Sequence, residues 1–346
     1  MLKYYWGSLI FTAVCLAIGA FYGFSIGGIQ GVASVLWIIF VLSILEVSLS
    51  FDNAVVNATV LKDMDRVWRA RFLTWGIIIA VFGMRIIFPL AVVAIAGQLN
   101  PIEALKLSIT EPERYEELVT GAKVGISGFG GAFLAMVGLK FFFDADKQVH
   151  WIGFIERRLS KIAVVQAVEI GVVLLSLYGV SKLLPPADAY TMVVSGIFGI
   201  LTYIGVEAMG TGLEASSEQV DAVHRSGLAG FMYLQVLDAS FSFDGVIGAF
   251  ALSNNLVIIG LGLGIGAIFV RSMTIHLVDK GTLTEFRFLE HGAFWAILAL
   301  AAIMLLGARY HIPEVFTGLI GAILIGLSWW WSVRHNRREA GRSAGA

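Results

Sequence analysis

Charge is what this chain is short of. Acidic and basic residues make up 14% of its 346 positions, against about a quarter in a soluble domain. They almost cancel, to a net −1, and no basic stripe is left for nucleic acid to recognise. There is one cysteine, Cys15, which excludes a disulfide within the chain and a thiolate metal cage. Proline is also scarce: of six, Pro89 falls well inside an apolar run, Pro313 lies at the very start of another, and Pro185-Pro186 mark a loop near mid-chain. No phosphate-binding loop and no His-Glu-x-x-His pair stands out, and no Gly-x-Ser-x-Gly nucleophile elbow is expected. The expectation is therefore not an enzyme, and any transport would be passive or driven by an ion gradient.

What is abundant is apolar side chain, 58% of the total. It comes in blocks of roughly 20 residues, the length needed to cross a hydrocarbon core as a helix. Ten runs qualify: 8–27, 32–61, 72–96, 125–143, 162–184, 190–211, 228–252, 256–279, 291–308 and 312–333. The second is too long for one straight crossing, and Ser50-Phe51-Asp52-Asn53 in its middle is the natural place for a break. The connection 97–124 is the longest and is expected to hold a short surface helix. The fold class expected is all-α integral membrane.

Two of the runs carry the same polar string. LEVSLSFDNAVVNATVL (Leu45–Leu61) aligns without a gap to LDASFSFDGVIGAFALS (Leu237–Ser253). Glu46 matches Asp238, Ser50 matches Ser242, Asp52 matches Asp244, and Asn53 meets Gly245. The likeness continues: Gly76–Arg85 resembles Gly262–Arg271, each ending in an arginine, and Gly130–Leu139 resembles His291–Leu300. Spans two to four thus correspond to spans seven to nine. An offset of five spans inverts one half relative to the other, as in many secondary transporters. The division is residues 1–186 and 187–333 as two membrane repeats, then a basic tail, 334–346. Lysine and arginine concentrate on the side of both termini, which the positive-inside rule makes cytoplasmic. Trp68, Trp75, Trp151 and Trp329–Trp331 fall at boundaries on that side, as interface anchors do.

A carboxylate inside a bilayer costs several kcal/mol unless neutralised, so four of them in a repeat point to a site. On a regular helix Glu46, Ser50 and Asn53 share a face and Asp52 lies on another. Either two polar faces exist, or the helix unwinds and the carboxylates converge. Carboxylates, hydroxyls and an amide form an all-oxygen set, suited to Mg²⁺, Ca²⁺ or Mn²⁺. Glu46, Asp52, Asn53, Asp238 and Asp244 are the candidate metal ligands, with Ser50 and Ser242 as auxiliary polar groups. Arg85 and Arg271 would return two of four charges, and one divalent cation the rest. Glu169, in the fifth span, is a candidate proton relay with an equally good structural reading. Glu207, His276, Glu290 and His291 lie nearer span ends and read as interfacial.

At EVSLSFDNAVV and DASFSFD, with the arginine-bearing spans that follow them, the chain resembles the TerC family. These are integral membrane proteins linked to tellurite resistance and metal homeostasis. FDNAVVNATVL, FGMRIIFPL and FFFDADKQVHW place the likeness nearest an uncharacterised TerC-like branch, over most of residues 32–310. The resemblance implies manganese export from a bacterial inner membrane, possession of no tight cofactor, and a divalent cation as transported substrate. The chain departs from that pattern in having Gly245 where the first motif has Asn53, and in its ten spans. The expected function is a divalent-cation carrier, with metal–proton exchange as a route open to it. The alternative is a membrane scaffold or assembly factor in a stress complex, with acid–arginine pairs that only hold helices together. Homo-oligomers or stress-complex partners fit either reading.

Overall fold

The computed structural model describes residues 2–144, 147, 149–162, 168–214, 219–250, 252–253, 255–310 and 312–343. Among these there are helices and no strand. Among the described residues seven helices are long and apolar enough to cross a membrane, and the chain is an all-α membrane protein.

Helix α1 (Leu2–Leu49) is folded back on itself rather than straight. Gly27 and Gly28 leave helical geometry, and Gly28 takes φ +58° with ψ −143°, a conformation that suits glycine alone. The two arms, 2–26 and 29–49, then run antiparallel so closely that a Cβ on Gly23 would lie 2.7 Å from the Gly31 carbonyl oxygen. The first expected span and the second as far as Leu49 lie on this element; the remainder of the second, to Leu61, lies on the next helix. Its turn contains a Gly-x-Ser-x-Gly string, Gly23–Gly27, the pattern of a hydrolase nucleophile. Here Ser25 is in a helical hairpin, donating to the Tyr22 carbonyl at 2.7 Å, not on a strand-to-helix elbow.

α2 (Phe51–Asp63) follows after a one-residue interruption at Ser50, φ −107° and ψ 14°. Backbone bonds still bridge it, Ser50 N–H to Glu46 at 3.0 Å and Ala54 N–H to Ser50 at 3.1 Å. The expected break is therefore a slight one, and both polar faces of the string survive. α3 (Arg66–Ile78) passes into a π-helical stretch, Ile79–Ile87, and then α4 (Phe88–Ala96). Pro89 sits in the first turn of α4; it has no N–H for the carbonyl one turn back, a common cause of such irregularity. The connection 97–124 forms two helices, α5 (Pro101–Thr110) and α6 (Pro112–Gly121). Glu111, at φ −137° and ψ 66°, separates them.

α7 (Lys123–Phe142) is followed by the short α8 (Gly153–Ile162), α9 (Val168–Ser181) and α10 (Pro186–Glu214). Next come α11 (Gln219–Phe250), α12 (Leu256–Asp279), the one-turn α13 (Thr282–Glu285), α14 (Leu289–Gly307) and α15 (Glu314–Ser343). The expected fifth and seventh spans fall on α9, a shorter apolar helix, and on α11, which carries Asp238 and Asp244. α7 is wedged between α10 and α14. Glycines make that possible: a Cβ on Gly128 would sit 2.7 Å from the Met192 carbonyl, and one on Gly131 2.8 Å from Leu305. α1 packs lengthwise on α12, α2 touches α12 and α14, and α11 touches the π-helical stretch and α7.

The ends of the bundle are distinct. At one, the end of α2 meets the start of α14 through Lys62 and Glu290 (3.3 Å). α15 finishes there too, Ser332 accepting from the Phe288 N–H at 2.9 Å. At the other lie α5, α6 and the start of α7.

Candidate functional site: two acid–arginine pairs at the motif crossing

The two polar strings meet in the interior. Glu46, near the end of α1, is 1% exposed. It accepts from Ser50 Oγ at 2.9 Å, one helical turn on, and is ion-paired to Arg85. Arg85 comes from the π-helical stretch, and its other terminal nitrogen bonds the Ala80 carbonyl. In the second half Asp238 is paired with Arg271, Nη1 to Oδ2 3.5 Å. The Arg271 guanidinium also lies 3.7 Å over the ring of Phe72.

The strings touch each other reciprocally. Asn53 donates to Asp238 Oδ1 at 3.0 Å, so position 53 of the first copy meets the acid of the second. Its counterpart Gly245 meets the acid of the first: a Cβ there would lie 3.0 Å from Glu46 Oε2. Asn57, one turn beyond Asn53, donates to the same Asp238 oxygen at 3.0 Å. An ionised carboxylate can only accept, so both amides must turn NH₂ toward Asp238. That fixes their oxygens the other way, and neither Oδ1 has a hydrogen-bond partner among the described residues.

A cavity of about 20 Å³, lined by Ser50, Asn53, Asn57, Asp238, Ser242 and Arg271 among others, lies between the strings. That is room for about one water molecule. Ser242 Oγ and Arg271 Nη2 are likewise buried with no hydrogen-bond partner among the described residues. A second cavity of about 40 Å³ begins at Gly245 and Phe241 and reaches Lys123, the first residue of α7. Toward the opposite end Phe72 is fully buried and edge-on to Phe231 (6.4 Å), which packs on Trp68 (5.7 Å). The site thus has a cavity on one side and aromatic rings on the other.

Of the expected ligands, Glu46, Asn53, Asp238, Ser50 and Ser242 are brought together, with Arg85 and Arg271 beside them. Asp52 is buried but on the other face. A Cβ on Gly321 of α15 would lie 3.1 Å from its Oδ2, and its Oδ1 accepts the Asn53 N–H at 2.9 Å. Asp244 lies in α11, and its side chain is outside the described residues. Glu169 is half-buried in the first turn of α9, within electrostatic range of Tyr203 and away from this centre. Among the described residues no three Asp, Glu, His or Cys side chains gather closely enough to hold a metal ion.

Two features were missed from sequence. Asn57 shares the face of Asn53 at i+4, a signal present but uncharged and so easily passed over. Glu156 of α8, 1% exposed, accepts from the N–H groups of Trp151 and Ile152 (both 3.1 Å), from Trp295 Nε1 (3.1 Å) and pairs with His291 (2.9 Å). Lys147 and His150 lie 3.9 and 3.7 Å from it. Burial would raise the Glu156 pKa, but His291 and these donors more than reverse that, to about 2. Burial pulls Lys147 down to about 8.

The chain belongs to a family of proteins of unknown function, DUF475, whose model matches residues 51–339. No curated protein and no solved structure matches it.

Proposed function

We propose that the chain is a membrane carrier of a divalent metal cation, manganese by preference, working by alternating access between two inverted repeats. The observation that carries this reading is the reciprocal contact of the motif copies, Asn53 with Asp238 and Gly245 beside Glu46. A pseudo-two-fold axis relating the halves generates such pairs, and carriers built of inverted repeats bind their substrate at that crossing. The buried, unpartnered oxygens of Asn53, Asn57 and Ser242 around the cavity support an oxygen-ligand cargo.

In this mechanism the arginines hold the empty carrier. Glu46–Arg85 and Asp238–Arg271 are neutral as pairs, so no bare carboxylate is buried in apolar surroundings. An entering cation takes Glu46 and Asp238, with Asn53, Asn57, Ser50 and Ser242 completing an oxygen shell. Asp52 and Asp244 supply the further negative charge a divalent ion requires. The TerC resemblance favours outward transport from a bacterial inner membrane, the lysine and arginine distribution favours cytoplasmic termini, and carboxylates that share protons without metal favour protons as counter-ion. Neither a resident cofactor nor an enzymatic step is needed.

Metal flux into proteoliposomes holding a Mn²⁺-sensitive dye tests this. Saturable flux in the wild type, lost in Asp238→Asn and Glu46→Gln protein that still folds, supports the carrier. Absence of flux with Mn²⁺, Ca²⁺ and Mg²⁺, with and without a pH gradient, sinks it. A second reading has its own observation: each described carboxylate of the crossing already has an arginine. On that reading the pairs only hold helices together, as in a scaffold or assembly factor. The same substitutions would then lower stability or partner binding with no flux to lose.

A further inference from the structure

We propose that α8 is an in-plane anchor that seats this end of the protein on anionic phospholipid headgroups. The inference rests on the membrane setting, and not on transport. α8 has ten residues, about 15 Å of helix, too little to cross. Its inward side is Glu156, fixed to α14 through His291 and Trp295, and Leu159, packed on the core. Its outward side mixes apolar and basic groups: Phe154 is 71% exposed and Ile155 40%, with Arg157 and Arg158 exposed beside them.

Arg158 lies over the Phe154 ring at 4.0 Å. A largely exposed ring with a guanidinium beside it is well suited to a bilayer interface. There the ring reaches the acyl boundary and the guanidinium meets phosphate. The same pairing recurs at this end: Arg71 over Trp68 at 4.4 Å and Arg334 over Trp330 at 5.5 Å. Trp151, just before α8, packs against Trp331 at 6.5 Å, joining α8 to the tryptophans of α15. Tryptophans at this level mark an interface. Exposed Arg66, Arg71, Arg158, Arg334, Arg337 and Arg338 belong to this end, whereas the α5–α6 segment at the other brings Glu103, Glu111, Glu113, Glu116 and Glu117 against Lys106 and Arg114. Complementary charge therefore selects an anionic leaflet.

The test uses the full chain with Cys15→Ser and Ile155→Cys, carrying a nitroxide, in phosphatidylcholine vesicles with and without phosphatidylglycerol. The expected result is a label several-fold less accessible to an aqueous nickel chelate than one at exposed Arg337→Cys. Protection should deepen with phosphatidylglycerol, and that increment should vanish in Arg158→Glu. A label as accessible as the control in both vesicles overturns the anchor. Equal protection in both overturns the anionic preference. Should Arg158→Glu fail to fold, the Phe154→Ala chain gives the second reading: it should lose protection in phosphatidylglycerol vesicles, and unchanged protection overturns the proposal.

Discussion

Asn53 Nδ2 lies 3.0 Å from Asp238 Oδ1, across 185 residues of chain. Together with Asn57 and Arg271 it gives Asp238 three donors in a buried position. Removing the charge leaves Arg271 buried and uncompensated, and breaking such a pair costs about 3–5 kcal/mol. Asp238→Asn should therefore be strongly destabilised in thermal unfolding. Asp238→Leu with Arg271→Met should recover much of the loss, because no charge is left unpaired. Flux separates the two readings: a carrier stays inactive in the stable double variant, and recovery of transport there would contradict a role for Asp238 as ligand.

Glycine is required beside Glu46 for lack of space. A Cβ on Gly266 would come within 2.5 Å of Glu46 Cβ and 2.9 Å of the Ser43 carbonyl, a backbone atom that cannot swing aside. Gly266→Ala is expected to cost about 1–3 kcal/mol from overpacking. Gly245→Ala, with Glu46 Oε2 at 3.0 Å, meets the end of a flexible side chain and should be milder. Its effect should fall on flux, through the displaced carboxylate, more than on melting temperature. Equal destabilisation by both would show that Glu46 has no room to adjust.

The pairs were legible because an intramembrane charge must find a partner, and the chain has few to choose from. Glu46, Asp238, Arg85 and Arg271 could be assembled on cost alone. The duplicated string also singled out Ser50, Asn53 and Ser242. What could not be read was which of two helical faces Asp52 would serve. A one-residue interruption at Ser50 left the helix phase intact, and Asp52 went to Gly321 of α15, outside the crossing. Glu156 gave no signal, because its donors come from a surface segment and from α14, remote in sequence. In a ten-residue basic helix nothing in the sequence distinguishes it from a solvated charge.

The aromatic side of the crossing should act as a barrier. Phe72 stands between Arg271 and the Phe231–Trp68 pair. In a Cys15→Ser background, a cysteine at Asn57 should resist a membrane-impermeant thiol reagent added from the α8 side. Phe72→Ala should raise its labelling rate at least several-fold, and should also remove a cation–π contact of about 0.5–2 kcal/mol. Rapid labelling with Phe72 in place would mean that the rings do not close this route.

Acid and alkali should act on the α8 attachment in opposite ways. Glu156 is held at about 2, below its ordinary 4.5, by His291 and the surrounding N–H donors, which outweigh the effect of burial. A depressed carboxylate contributes stability that is complete above 4.5 and is lost as pH falls toward 2. Unfolding measured from pH 5 downward should show this limb, and Glu156→Gln should flatten it. The substitution should also lower stability at neutral pH, since a neutral amide is a poorer acceptor for His291 and Trp295. Lys147 is pulled from 10.5 to about 8 by burial, against the attraction of Glu156, Glu290 and Asp144. Between pH 8 and 10.5 the unfolded chain binds the proton more fully than the folded one, so stability due to Lys147 should rise with pH. Lys147→Met should abolish that rise while keeping the apolar contact with Phe141, over whose ring the ammonium now lies at 3.4 Å. If the variant instead unfolds more readily at every pH, the ammonium is a net support for Glu156 and burial is the lesser of its two effects.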